Sequence, residues 1–200
     1  MIMTRFFLSV LLLAGVSGAH ATEERQLARA TFAGGCFWCM EPPYDALDGV
    51  IETISGFSGG HVSNPSYRQV VAGGTGHTEV VQVIYDPAVV SYQTLVELFW
   101  RNIDPVAVNR QFCDVGPMYR SAIFYHDEQQ EAIARASKAA LAESGRFDQP
   151  IATEINAFEA FYPAEEYHQG YYLKNPVRYR YYRYRCGRDR RLAEIWGDKY

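Results

Sequence analysis

Apolar positions recur along this chain with two different periods. They alternate or form short runs over residues 28–32, 50–57, 79–85, 121–125 and 151–155, which predicts five strands. The run EVVQVIY from Glu79 to Tyr85 is the strongest and is stopped by Asp86-Pro87. Elsewhere the period lengthens to that of a helix. One helix is expected from Cys36 to about Leu47. A second starts behind the N-cap Ser91, shows Leu95, Leu98, Phe99 and Asn102 on one face, and ends near Asp104-Pro105. A third is expected over residues 128–144, with Ala132, Ile133, Ala136, Ala140 and Leu141 inward and Gly145 closing it. Residues 58–77 are rich in Gly, Ser and Asn and read as a long ordered loop, of the kind that carries function in a compact domain. Strands and helices interleave, so the fold class is α+β: a mixed two-layer α/β sandwich around a central sheet. There is no internal repeat, low-complexity tract or linker, which leaves a single domain.

The first residues do not fit that pattern. Arg5 is followed by the apolar run Phe6 to Val16, then by Ala19-His20-Ala21 and the polar Thr22-Glu23-Glu24. This order of charge, apolar stretch and small-x-small site predicts a signal peptide over residues 1–21, leaving 22–200 as one catalytic domain. The run is too short to span a bilayer comfortably. Export to the periplasm follows as an expectation. The 19 basic and 23 acidic residues give a net charge of -4. Removing Arg5 with the leader leaves 18 against 23, or -5. An acidic chain gives no overall signal for nucleic acid or for a membrane surface.

The chain has four cysteines, Cys36, Cys39, Cys113 and Cys186. An even count in an exported protein is compatible with two structural disulfides. A domain of this size folds without such staples, which shifts weight toward chemistry. The segment Gly34-Gly35-Cys36-Phe37-Trp38-Cys39-Met40-Glu41 falls where a strand should hand over to a helix. A thiol there faces unpaired N–H groups and the positive end of the helix dipole, which both favour thiolate. A thiol of pKa about 8.5 is roughly 3% ionised at pH 7, and lowering it to about 7 makes it half thiolate. Phe37 and Trp38 would supply an apolar wall suited to a methyl group on sulfur. On spacing alone the C-x-x-C reads as a thioredoxin-like dithiol. A zinc site is weaker, because no second C-x-x-C or His pair supplies further ligands.

Gly35-Cys36-Phe37-Trp38 with Glu41 closely resembles the signature of the type A peptide methionine sulfoxide reductases, which act on the S epimer. Further motifs follow in the family's order: Asn64-Pro65-Ser66-Tyr67-Arg68, Thr75-Gly76-His77-Thr78-Glu79, Asp114-x-Gly116, Tyr119-Arg120-Ser121, His168-Gln169 and Lys174-Asn175-Pro176. The likeness covers roughly residues 30–178. It implies a ferredoxin-like core, no metal and no organic cofactor. It also implies Cys36 as nucleophile, Glu79 as the acid that protonates the sulfoxide oxygen, Tyr67 and Tyr119 as its hydrogen-bond donors and Asp114 as an orienting group. Phe37 and Trp38 would form the methyl pocket, with His77 and His168 as supports. The chemistry agrees, since an oxygen leaving sulfur needs a proton and a carboxyl that holds one near neutral pH needs a desolvated site.

A second thiol must resolve the sulfenic acid formed on Cys36. Many members have Gly at the position of Cys39 and a recycling Cys in a Gly-rich tail. Here the tail reads RYRYYRYR from Arg178 to Arg185, followed by Cys186. Cys186, on a tail free to swing in, is slightly favoured as resolving thiol over Cys39, which needs local adjustment to reach Cys36; Cys113 stays open. Implied partners are oxidised proteins and free methionine sulfoxide as substrates and a thioredoxin-like dithiol as reductant, with a monomer as the default state. Two other readings compete. One is a general disulfide oxidoreductase, which leaves the Tyr67, Glu79 and Tyr119 motifs unexplained. The other is a binding module in which RYRYYRYR tracks single-stranded nucleic acid, against which stands a tail whose Arg heads lie in solvent.

Overall fold

The computed structural model describes residues 26–197. The signal peptide expected over residues 1–21 lies outside them. The described chain runs β1 (Ala28–Gly34), α1 (Phe37–Asp45), β2 (Val50–Ser58), α2 (Tyr67–Ala72), β3 (Thr78–Tyr85), α3 (Tyr92–Arg101), β4 (Arg110–Gln111), β5 (Asp114–Val115), β6 (Ser121–Tyr125), α4 (Glu128–Glu143), β7 (Glu154–Ala157), β8 (Phe161–Pro163), α5 (Tyr171–Lys174), α6 (Pro176–Cys186) and α7 (Arg188–Trp196). Six strands form one mixed sheet in the order β7-β6-β1-β3-β2-β8, and β4-β5 is a separate hairpin. All pairs in the large sheet are antiparallel except β6-β7. The α+β class expected from the sequence is the observed one.

The two-residue period of the strands sorts their side chains. Ala30, Phe32, Val81, Val83 and Ile123 point into the main core, where they meet Met40 and Tyr44 of α1 and Leu95 and Phe99 of α3. Phe32 stacks on both Tyr44 and Phe99, with ring centroids 5.3 and 5.4 Å apart. The opposite sheet face buries only a small cluster, Ala33, Val80, Ala122 and Phe124, covered by Phe158 and Phe161. The helices that carry the core thus lie on one face, as a two-layer domain requires.

Several elements differ from the expectation. The stretch 58–77 is not all loop: Ser66 caps α2 through a capping box with Gln69, a Ser-x-x-Gln signal that was legible in the sequence. In α4 the inward residues are Gln130 and Ala134, with Ile133, Ser137 and Leu141 partly buried, whereas Ala132, Ala136 and Ala140 are exposed. Polar contacts fix that phase. Gln130 Nε2 donates to the Arg29 carbonyl at 2.7 Å and Ser137 Oγ accepts from Trp100 Nε1 at 3.0 Å. The last strand of the large sheet to pair with β6 begins at Glu154, three residues later than expected. The Tyr- and Arg-rich segment forms the helix α6 and is no free tail.

Candidate active site

Sheet order brings the sequence motifs together. The end of central β1 lies beside the start of β6, where Gly34 pairs with Ser121, and beside the start of β3. Cys36 follows β1 and forms the N-cap of α1. Glu79 opens β3, and Tyr119 precedes β6 by two residues. Gly35 makes the turn between strand and helix at φ +80°, and a Cβ there would collide with the Gln111 side chain. Gln111 is itself fully buried and bonds both the N–H and the C=O of Asp104 at 2.8 Å. It thereby fixes the β4-β5 hairpin, and Asp114 with it, under the site. No sequence motif marked Gln111.

Glu79 is 1% exposed, not the open strand-start residue that its position alone would suggest. Its Oε2 accepts the Phe37 backbone N–H at 3.0 Å, from the first turn of α1. Burial outweighs that bond and raises its pKa from 4.5 to about 8, so the carboxyl is protonated at neutral pH. Burial together with the charge of Glu79 holds the phenols of Tyr67 and Tyr119 above their ordinary value, Tyr67 at about 12, with Tyr119 opposing the rise at Tyr67. Two neutral phenols and a neutral carboxyl therefore stand next to Cys36, as donors for an oxygen that gains negative charge.

Cys36 and Cys39 are both free thiols, 6% and 1% exposed. Each thiol has the other as its polar neighbour. The hydrogen bond with Cys36, helped by the guanidinium charges of Arg188 and Arg183, lowers Cys39 to about 7. Burial, the Cys39 thiolate, Glu79 and Asp114 push Cys36 well above the thiol range.

Phe37 and Trp38 follow Cys36 in the first turn of α1 and pack against the His168 ring, with centroids 5.0 and 5.7 Å away. Trp38 Nε1 donates to His168 Nδ1 at 3.1 Å, and its ring stacks on Tyr171 with centroids 3.7 Å apart. Burial lowers the His168 pKa and keeps its ring neutral, as an acceptor from Trp38 must be. His77 holds the loop before β3, accepting the Gly60 N–H at 3.1 Å and bonding the Val62 carbonyl at 2.7 Å. The segment 168–171 is in turn tied down by buried groups. Gln169 clamps both backbone groups of Ser55 at 2.8 Å, and Glu41 accepts from Ser55 Oγ at 2.9 Å and Gly170 N–H at 3.3 Å.

The remaining cysteines form a disulfide, Cys113–Cys186, with Cα atoms 4.9 Å apart. Cys186 is therefore neither free nor on a swinging tail. Next to Cys113, Asp114 accepts a hydrogen bond from Tyr182 of α6. Burial raises the Asp114 pKa and the Tyr182 bond opposes that rise. Tyr182 and Cys186 are one helical turn apart, so the disulfide and the Tyr182–Asp114 bond are two cross-links between the same two elements. Arg188 lies 1% exposed behind them, donating to the carbonyls of Gly34 and Asn102 and resting over the Phe112 ring at 4.5 Å. Tyr182 and Arg188 escaped the sequence reading because only α6 and α7 bring them to the site.

This arrangement can donate protons to a leaving oxygen, hold a methyl group against two aromatic rings and close a disulfide between adjacent sulfurs. The sequence model of the peptide methionine sulfoxide reductase family matches residues 28–200. A peptide methionine sulfoxide reductase MsrA of Listeria monocytogenes is 51% identical over 173 residues, covering 86% of this chain and 98% of that protein. The crystal structure of reduced Mxr1 from Saccharomyces cerevisiae superposes with a TM-score of 0.70 at 35% identity, over 78% of this chain and 89% of that one. Mxr1 in complex with Trx2 matches with a TM-score of 0.50 at 25% identity, over 74% and 87%. With its cysteine pair, buried acid and paired tyrosines assembled at one end of the sheet, this chain belongs to the peptide methionine sulfoxide reductase family and is an oxidoreductase that reduces methionine sulfoxide.

Proposed function

We propose that Cys36 is the nucleophile, Glu79 the acid and Cys39 the resolving thiol in reduction of methionine-S-sulfoxide, free or within proteins. The supporting observation is the placement of the groups: buried Glu79, its pKa raised to about 8, bonds the first turn of α1 beside Cys36, and the Cys39 pKa is lowered to about 7. Transfer of the proton from Cys36 to Cys39 leaves the Cys36 thiolate to attack the sulfoxide sulfur. Glu79 protonates the oxygen as the bond from Cys36 to the sulfoxide sulfur forms; that bond and the sulfur–oxygen bond then break as the protonated oxygen passes to the Cys36 sulfur, which gives methionine, a Cys36 sulfenic acid and the Glu79 carboxylate. Tyr67 and Tyr119 hold the oxygen, Phe37 and Trp38 hold the methyl group, and Asp114 orients the groups around the sulfur. The Cys39 sulfur then attacks the sulfenic sulfur, releasing water and leaving a Cys36–Cys39 disulfide. One proton of that water comes from Glu79 and the other from Cys36 by way of Cys39, so the step balances without an outside acid.

Re-reduction consumes an external dithiol, and a thioredoxin-like donor fits, as Mxr1 has been crystallised with Trx2. Export to the periplasm is supported by the order of charge, apolar run and small-x-small site in residues 1–21, and by the Cys113–Cys186 disulfide, a bond that an oxidising compartment preserves. We take the working state to be a monomer. The deciding assay follows turnover of separate S and R epimers with dithiothreitol, by wild type and Cys36→Ser. Reduction of the S epimer alone, lost in Cys36→Ser, is expected. Without reductant, one methionine per chain should appear as two thiols disappear. Cys39→Ser should still release that methionine but leave a dimedone-reactive Cys36. A disulfide that still forms on Cys36 in Cys39→Ser would remove Cys39 from the cycle.

A further inference from the structure

The helix α6 carries a feature that the reduction of free methionine sulfoxide does not use. Arg178, Tyr181, Tyr182 and Arg185 are spaced i, i+3, i+4 and i+7 and so share one face. That face opens onto a groove whose other lining residues are Trp38 and Tyr171, the stacked pair beside Cys36. Tyr182 packs edge-on against Trp38, with ring centroids 5.9 Å apart, and so joins the groove to the reaction site. Tyr181 is 67% exposed, a large open aromatic surface next to a catalytic pocket. Two arginines of the C-terminal helices are engaged in ion pairs: Arg183 with Asp189, and Arg191 with Asp104 and Glu194. Arg178 and Arg185 are exposed, and neither makes an ion pair or hydrogen bond among the described residues. They are two uncompensated cations on a protein with net charge -4.

We infer that the Arg178–Tyr181–Tyr182–Arg185 face of α6 binds the polypeptide on one side of the target methionine sulfoxide and selects segments that carry Asp or Glu. The inference rests on the assignment of the Cys36–Trp38 pocket as the sulfoxide site. Continuity supports the occupant, because the groove begins at Trp38, the ring assigned to the methyl group of the sulfoxide. Charge complementarity gives its chemistry. Seven helical residues advance about 10.5 Å, which an extended chain covers in about three residues at roughly 3.4 Å each. The two guanidiniums therefore match acidic side chains about three positions apart, with aromatic rings between them for the intervening residues. Binding affects KM more than kcat, since the contacts lie outside the reacting atoms.

The test uses three peptides of equal length with one central methionine-S-sulfoxide flanked by Glu, Gln or Lys, each compared with free methionine-S-sulfoxide. For wild type, kcat/KM relative to the free substrate should fall in the order Glu, Gln, Lys. The span should be about 5- to 20-fold at low salt, carried by KM, because each exposed pair contributes modestly. Raising ionic strength toward 1 M, where screening acts within about 3 Å, should collapse the span. In Arg178→Gln/Arg185→Gln the three peptides should fall within about twofold of one another. Equal kcat/KM for the three peptides with wild type overturns the proposal, as does an order that survives both the double substitution and high salt. The salt series needs wild type alone, so a poorly folding variant does not remove the test. Failure of wild type to reduce free methionine-S-sulfoxide would instead strike the assignment of the pocket itself.

Discussion

Replacing Glu79 with Gln should damage catalysis and improve stability at high pH, two opposite effects from one buried group. The amide keeps an oxygen that can accept the Phe37 N–H but has no proton to give. Loss of a general acid costs about 10²- to 10⁴-fold in kcat. The stability effect follows from the pKa rise from 4.5 to about 8, equivalent to about 5 kcal/mol of preference for the neutral carboxyl. A raised carboxyl contributes its full stability below about pH 4.5, where folded and unfolded chains are both protonated. As pH rises toward 8 the unfolded chain ionises first, and that contribution is lost. Gln does not ionise, so Glu79→Gln should gain on wild type by several kcal/mol between pH 5 and 9. Urea unfolding of both proteins at the two pH values, with S-sulfoxide turnover at pH 7, measures both effects. Wild-type turnover should also fall as pH passes about 8. A Glu79→Gln variant within tenfold of wild-type activity would refute the assignment of the acid. A stability difference that does not change with pH would refute the claim that burial holds Glu79 neutral.

Three further perturbations probe the surrounding structure. Tyr182→Phe removes the donor to Asp114 and should cost about 1–2 kcal/mol in urea unfolding; the Asp114 pKa should rise further, visible as an upward move of the acid limb of the pH–rate profile. Cys113→Ser/Cys186→Ser opens a link between residues 73 apart in sequence, and should lower stability by about 2–4 kcal/mol without changing the thiol count lost in a single turnover. Gly35→Ala forces a side chain into φ +80° and against Gln111, so it should lower both Tm and kcat/KM, with a cost of about 1–3 kcal/mol.

The parts of the fold that were legible are those where local pattern and tertiary demand agree. EVVQVIY alternates because β3 is the sheet's centre, with Val81 and Val83 on the helix side and Val80 and Gln82 on the other. Ser91 caps α3 as its position suggests, accepting the Thr94 N–H at 3.1 Å. The phase of α4 was not legible, because Ala is accepted equally inside and outside and the buried Gln130 reads as surface. The cysteines of the G-C-F-W-C motif could be placed from local sequence, since strand, turn and helix put them at the sheet end. The Cys113–Cys186 pair could not, because spacing alone does not specify connectivity. Nor could the role of Tyr182, which depends on a helix whose apolar residues show no single period. Asp114 was named from its motif, yet its controlling partner comes from the tail.

The Cys113–Cys186 bond places a demand on whatever recharges the enzyme. On the proposed cycle, each turnover leaves a Cys36–Cys39 bond between sulfurs that are almost fully enclosed, while Cys113 lies open at the surface. A donor guided by exposure alone would cleave the wrong bond. It would release α6 from the hairpin that bears Asp114 and leave the spent centre oxidised. Keeping the surface bond a hundredfold favoured in its oxidised form requires about 60 mV between it and the donor couple. If Cys39 resolves, the electron donor must therefore be matched to this enzyme in potential or in docking geometry, so that it empties the inner bond and spares the outer one.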